Sequence, residues 1–96
     1  MSKVYQVVIY TTILDETKLA NYAALAGPAM EAAGAKFLAR GIPVAVKESG
    51  QKTRTVVIEW DSLDTAEKAY ASEGYQEALA ALDNGAIREF RYVEAA

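Results

Sequence analysis

The sequence predicts an α+β domain of order βαββαβ, a four-stranded antiparallel sheet with its helices on one face. Three observations carry that reading. The segment Gly34-Ala-Lys-Phe-Leu-Ala-Arg-Gly41 leaves a helix through a glycine and becomes a strand. The segment Arg54-Thr-Val-Val-Ile-Glu-Trp60 is an apolar strand that runs directly into a helix start at Asp61-Ser62. A β-branched and aromatic run opens the chain and another closes it, so two β-α-β units fit within residues 1–96 as a single domain.

Lys3–Thr12 reads as the first strand, Lys-Val-Tyr-Gln-Val-Val-Ile-Tyr-Thr-Thr. Asp15 or Thr17 can cap the helix after it. Leu19, Tyr22, Ala23, Ala26, Met30 and Ala33 recur at helical spacing and form its apolar stripe. Gly27-Pro28 predicts a kink or break, because proline removes a backbone hydrogen bond and crowds the preceding turn. Gly34 fits the left-handed position after a helix end. The second strand spans Ala35–Gly41. Val44–Glu48 reads as a continuing hairpin arm, with Ser49-Gly50-Gln51 at the tip. Thr53–Trp60 is the third strand. Ser62 or Asp61 caps a second helix bearing Ala66, Ala69 and Tyr70, and Gly74 is expected to end it. A short third helix carries Tyr75, Ala78, Leu79 and Leu82 on one side. Asp83-Asn84-Gly85 is a turn signal, and Ile87–Glu94 is the last strand. This order makes most simply a ferredoxin-like sheet.

Composition removes several chemistries. The 96 residues include no cysteine and no histidine. Disulfides, thiolate nucleophiles, the usual neutral-pH base and the common zinc and haem ligands are therefore missing from the side-chain repertoire. The carboxylates are scattered; Asp61 and Asp64 suit a helix start, where negative charge meets the dipole. No metal site is expected, and no phosphate loop, dinucleotide fingerprint or nucleophile elbow calls for a cofactor. A net charge of −3 and pI near 4.9 disfavour nucleic acid as a partner. No apolar run is long enough for a membrane span and no secretory leader pattern is present, so a cytoplasmic protein is expected.

The strands carry apolar residues on both faces. Tyr5, Val7 and Ile9 alternate with Val4, Val8 and Tyr10. Val56, Ile58 and Trp60 alternate with Thr55, Val57 and Glu59. Phe90 and Tyr92 stand against Ile87 and Val93. Helices on one face would leave the other apolar patch in water, beyond what a soluble monomer ordinarily shows. A second copy packed sheet to sheet is the simplest cover, so a homodimer is expected.

These residues also carry a resemblance. Tyr22, the Gly34–Gly41 segment with Phe37-Leu38-Ala39-Arg40-Gly41, Arg54–Trp60, Ser62 with Ala66, and Tyr70, Ser72 and Tyr75-Gln76 resemble the domain of unknown function 1330 family, within the dimeric α/β-barrel superfamily. The resemblance implies that fold and a dimer, and it leaves the reaction open. Gly41 is followed by Ile42-Pro43 where the family usually has a glycine pair, and Ala71-Ser-Glu-Gly-Tyr75 replaces its usual Asn-Ser-Pro-x-Tyr. The superfamily also holds cofactor-free monooxygenases, haem-degrading proteins and lactone isomerases. The absence of histidine sets this chain apart from the histidine-dependent ones.

The candidate ligand-binding residues are Tyr22, Arg40, Glu59, Trp60 and Tyr70. With a hairpin tip near Gly50, Arg40 falls opposite Glu59 or Trp60. It would either hold a carboxylate-bearing ligand or pair with Glu59 and set register. Tyr22, Tyr70 and Tyr75 lie on helix faces toward the sheet, as pocket walls or as core. Trp60 would stack a flat ligand or fill the core, and Arg54 would meet an anion or stay solvated. Two functions are compatible with these residues: a small-molecule binding protein or cofactor-free enzyme with an apolar or aromatic ligand, or a non-catalytic dimeric module for structure or protein contact. A cavity lined by Tyr22, Arg40 and Tyr70 would favour the first.

Overall fold

In the computed structural model, which describes residues 2–96, strand β1 (Val4–Ile13) leads into helix α1 (Glu16–Ala32), and strands β2 (Lys36–Gly41) and β3 (Thr55–Trp60) come next. Helices α2 (Leu63–Ala71) and α3 (Glu73–Leu82) then precede strand β4 (Ala86–Glu94). The strands form one sheet in the order β2-β3-β1-β4, with every neighbouring pair antiparallel. This is the ferredoxin-like fold, with the helices on one face.

Local chemistry sets the element ends. The Asp15 carboxylate caps α1 by accepting from the Lys18 amide at 3.0 Å. At its far end the Ala35 amide donates to the Met30 carbonyl and the Gly34 amide to that of Glu31, with Gly34 at φ 109°. That is a Schellman ending, which needs the left-handed conformation glycine adopts freely. The expected interruption at Gly27-Pro28 does not break α1. Ala24, whose carbonyl loses a donor, and Pro28 are both exposed, so water can reach the orphaned group. Gly27 also has no Cβ to meet the proline ring. Ser62 caps α2 through the Thr65 amide, and Ser72 serves both as the end of α2 and as the cap of α3. The second helix therefore stops at Ser72 rather than at Gly74, which lies inside α3. A Cβ there would meet the Ala29 Cβ at 3.3 Å, so Gly74 lets α3 close on α1.

The hairpin differs from the sequence expectation. Residues 42–54 form an irregular loop with no strand, and Val44 is fully exposed. Observed partners are Lys36 with Glu59, Phe37 with Ile58, Arg40 with Val56 and Gly41 with Thr55. The turn thus centres near Glu48 (φ 52°) rather than Gly50, and Arg40 faces Val56, not Glu59. A register shift between Phe37 and Ala39 adds a residue to β2. Residues three apart normally point to opposite faces of a strand; the bulge turns Phe37 and Arg40 to the same side. Glu59 instead meets Lys3 at 3.1 Å and Lys36 at 3.5 Å. The Lys3 hydrogen bond holds its carboxyl below the ordinary value despite some desolvation.

The helix side of the sheet holds the core. Val4, Val8 and Tyr10 of β1 and Val56, Ile58 and Trp60 of β3 are buried against Tyr22, Ala26 and Met30 of α1. Ala23, expected in that stripe, is exposed instead. Ala66, Ala69, Tyr75, Ala78 and Leu82 complete the core from α2 and α3. Trp60 is only 1% exposed, and its indole donates to the Gln6 Oε1 at 2.9 Å, satisfying a buried amide on β1. On the opposite face Tyr5, Val7, Ile9 and Val57 are only partly buried, and Ile87 and Val93 are 54% and 56% exposed. The molecule is a slab with extents of 33 × 33 × 16 Å, one sheet and one helical layer thick.

The Trp60–Gln6 bond gives a test of the core. Trp60→Phe leaves the Gln6 oxygen without its donor and should destabilise by about 1–3 kcal/mol. Gln6→Met, which leaves the indole N–H unpaired, should do the same. In urea denaturation the double variant should lose less than the sum, by at least about 0.5 kcal/mol. Strictly additive losses would show that the bond contributes nothing.

Candidate functional site

A cavity of about 280 Å³ lies between α1 and the sheet. Leu19, Tyr22, Ala23, Ala26 and Met30 of α1 form its roof, and Val8, Tyr10, Val56, Ile58 and Phe90 form much of its floor. Tyr75 closes one end from α3. Phe37 and Arg40 of β2 reach it because of the bulge, and Arg54 reaches it from the end of the long loop. A second register shift, between Tyr10 and Thr12, lies beside it on β1, where Tyr10 pairs with Arg88 of β4.

The polar centre of the cavity is a hydrogen-bonded chain across three elements. Arg88 Nη1 donates to the Tyr22 Oη at 3.0 Å, and Tyr22 and Tyr75 share a hydroxyl contact of 2.8 Å. Tyr75 is only 2% exposed, and Tyr22 is its one hydroxyl partner among the described residues. A phenol has one proton, and a buried O–H takes an available acceptor. Either hydroxyl can donate in this contact, and Tyr22 also accepts from Arg88. Two phenols bring two protons and the contact between them uses one, so the pair keeps one proton to meet a group in the cavity that both line.

Burial, followed by the neighbouring Tyr22, holds the Tyr75 hydroxyl well above its ordinary pKa, so it stays neutral. Desolvation is the largest influence on Arg88 and opposes its charge, but its interactions with Tyr22, Tyr75 and Tyr10 together outweigh this and leave the guanidinium more firmly protonated than usual. Arg88 also lies over the rings of Tyr22 and Phe90, each at 4.7 Å, and of Tyr10 at 5.5 Å. Arg54 lies 5.7 Å from the Tyr10 ring and Arg40 4.5 Å from that of Phe37. Aromatic faces attract such cations without supplying a counter-charge.

The residues singled out from the sequence separate in space. Tyr22 and Arg40 line the cavity. Tyr70 stands outside it, on a more open groove with Tyr92 behind Arg88 and Phe90, though its ring still lies 5.2 Å from that of Tyr75. Glu59 is on the other face of the sheet with Lys3 and Lys36, and Trp60 is in the core, bonded to Gln6. Arg88 was the missed residue. Its parity with Phe90 and Tyr92 places it on the helix side of β4 and could have found it. Among the described residues no cluster of carboxylates could hold a metal ion, and no helix is long and apolar enough to cross a membrane.

The family model for a domain of unknown function (DUF1330) matches residues 3–96. The chain belongs to that family. No functionally curated protein matches it. Among solved structures, the DUF1330 chain is similar to a protein of unknown function from Rhodopseudomonas palustris, at 13% identity and a TM-score of 0.75 over 99% of this chain and 83% of that one. It is similar to SnoaB, a cofactor-independent oxygenase from Streptomyces nogalater, at 14% identity and a TM-score of 0.71 over 100% of this chain and 95% of that one. A dimeric protein of unknown function with a ferredoxin-like fold from Bacteroides fragilis matches at 15% identity and a TM-score of 0.59, over 99% and 98% of the two chains.

The tyrosine chain makes a pH prediction. In the folded protein Tyr75 keeps its proton, whereas in the unfolded chain it releases it near its ordinary value of 10.0. The stability it contributes is complete below that pH and is lost as pH rises above it. Ultraviolet titration of the six tyrosines should therefore show a fraction that ionises only with alkaline unfolding, and Tyr75→Phe should reduce that fraction. Six tyrosines ionising together near the ordinary value in a folded protein would contradict the assignment.

Proposed function

We propose that this protein is a homodimer that binds a small, mainly aromatic molecule in the cavity between α1 and the sheet, without a cofactor. The observation that carries the reading is the cavity itself. At about 280 Å³ it is close to the lower end of ordinary ligand pockets and of a size for one or two fused rings. Its walls are apolar and aromatic, and a short polar chain fixes one position on them. A module built only for assembly would fill this interface with side chains. The likeness to a cofactor-independent oxygenase supports a small-molecule site on this fold. Arg88, Tyr22 and Tyr75 are the groups available for polarising such a molecule in a chain without histidine.

Ala23 gives the test of the cavity. It lines the roof yet is exposed, so a larger side chain there should enter the mouth without disturbing the core. Ala23→Phe should melt within a few degrees of the parent and lose the thermal shift that naphthalene-sized aromatics give the parent. Equal shifts in parent and variant would place the binding elsewhere and overturn the reading.

The dimer rests on the open sheet face, where Tyr5, Val7, Ile9 and Val57 form a central apolar strip with Ile87 and Val93 beside it. Two structural neighbours described as dimeric and ferredoxin-like support this. Sedimentation equilibrium at micromolar concentration should return twice the chain mass of 10.4 kDa, and Val7→Glu, which puts a charge at the centre of the strip, should return the monomer. A parent that sediments as a monomer would remove the dimer from the proposal.

A further inference from the structure

The cavity is unbalanced in charge. Arg40, Arg54 and Arg88 line it, and Glu16 is its one carboxylate. None of the three arginines lies within ion-pair distance of an acidic side chain among the described residues, although the chain as a whole carries a net charge of −3. Arg88 is half-buried, and its one hydrogen bond among those residues goes to Tyr22. A guanidinium brings several N–H donors in a planar fork, so most of that fork has no protein acceptor. The rings of Tyr10, Tyr22 and Phe90 soften the charge but do not neutralise it. The proton left over by the Tyr22–Tyr75 hydroxyl pair stands at the same place, beside the guanidinium that donates to Tyr22.

We propose that the ligand is an aromatic monocarboxylate, its carboxylate held by Arg88 and the Tyr22 hydroxyl and its ring lying among Tyr10, Phe37 and Phe90. This rests on the reading of the cavity as an aromatic-binding site and adds the charge of the ligand. Planarity decides for a carboxylate: a guanidinium edge and a phenolic O–H offer donors side by side, which suits two oxygens in one plane. Arg40 and Arg54 add positive potential from β2 and the loop and draw an anion toward the cavity. The wall beyond the polar chain is apolar, with Val8, Met30 and Ile58, which suits one charged end and one hydrocarbon end.

The experiment compares naphthoate, neutral naphthamide and naphthalene by calorimetric titration of the intact protein at neutral pH. Naphthoate should bind roughly 10-fold or more tighter than naphthamide, the scale of one charge-assisted pair in a partly desolvated site. Arg88→Met should bring the two affinities together, by costing naphthoate far more than naphthamide. Tyr22→Phe, a smaller change that leaves the guanidinium, should weaken naphthoate more than naphthamide and serves if Arg88→Met fails to fold. General attraction does not imitate this result, because the protein is itself anionic. Equal binding of naphthoate and naphthamide by the parent would overturn the anion site and leave the aromatic-binding reading standing. Failure of all three to bind would overturn both.

Discussion

The hydrogen-bonded chain from Arg88 through Tyr22 to Tyr75 ties the sheet to two of the helices that cover it. Its members come from β4, α1 and α3, so each bond spans elements far apart in sequence. Such a network is worth more complete than broken, since each buried group left over would cost about 1–3 kcal/mol. The two tyrosine rings also pack edge to face with their centroids 6.0 Å apart, so the same pair joins α1 to α3 by aromatic contact. The α1 lining of the cavity beside this chain mixes small residues, Ala23, Ala26 and Gly27, with the larger Leu19 and Met30.

The two register shifts have a shared effect. Each adds a residue to one strand and reverses the parity of the residues beyond it. On β2 the shift brings Arg40 to the helix side beside Phe37; on β1 it falls immediately after Tyr10, the cross-strand partner of Arg88. Bulges re-aim side chains at the margin of a sheet, and here they lie next to residues that line the cavity. Without the β2 shift, Arg40 would point to the open face, and the cavity would lose one of its cations.

These details explain what was legible in the sequence. The element order, both faces of β1 and β3, the Asp15 and Ser62 caps and the Gly34 ending were readable because each depends on alternation or on a few adjacent residues. Register was not. A simple hairpin about Gly50 sets Arg40 against Glu59, whereas a loop over residues 42–54 and one extra residue in β2 decide otherwise. Ser72 carried the cap that ends α2, but Gly74 looked like the stronger signal because its role in helix packing is tertiary. Arg88 alternates with Glu89 and resembles an exposed charged strand; only its parity with Phe90 and Tyr92 set it apart. Trp60 showed its bulk and not its partner, since Gln6 lies on another strand.

A slab only 16 Å thick has little interior in which to keep a cavity. A chain of this length buries a smaller share of its surface than a larger domain does, and a cavity forfeits dispersion contacts on its walls. The opposite face of the sheet offers compensation. β1 runs through both demands: Val8 and Tyr10 face the cavity, while Tyr5, Val7 and Ile9 face outward. Covering the outward row with a second copy, as proposed, would remove apolar surface from water without touching the cavity and would stiffen the strand whose inner row shapes it. On that account the apolar residues on both faces of β1 are one arrangement: one row is reserved for a ligand, and the other supplies burial that a ligand cavity takes away.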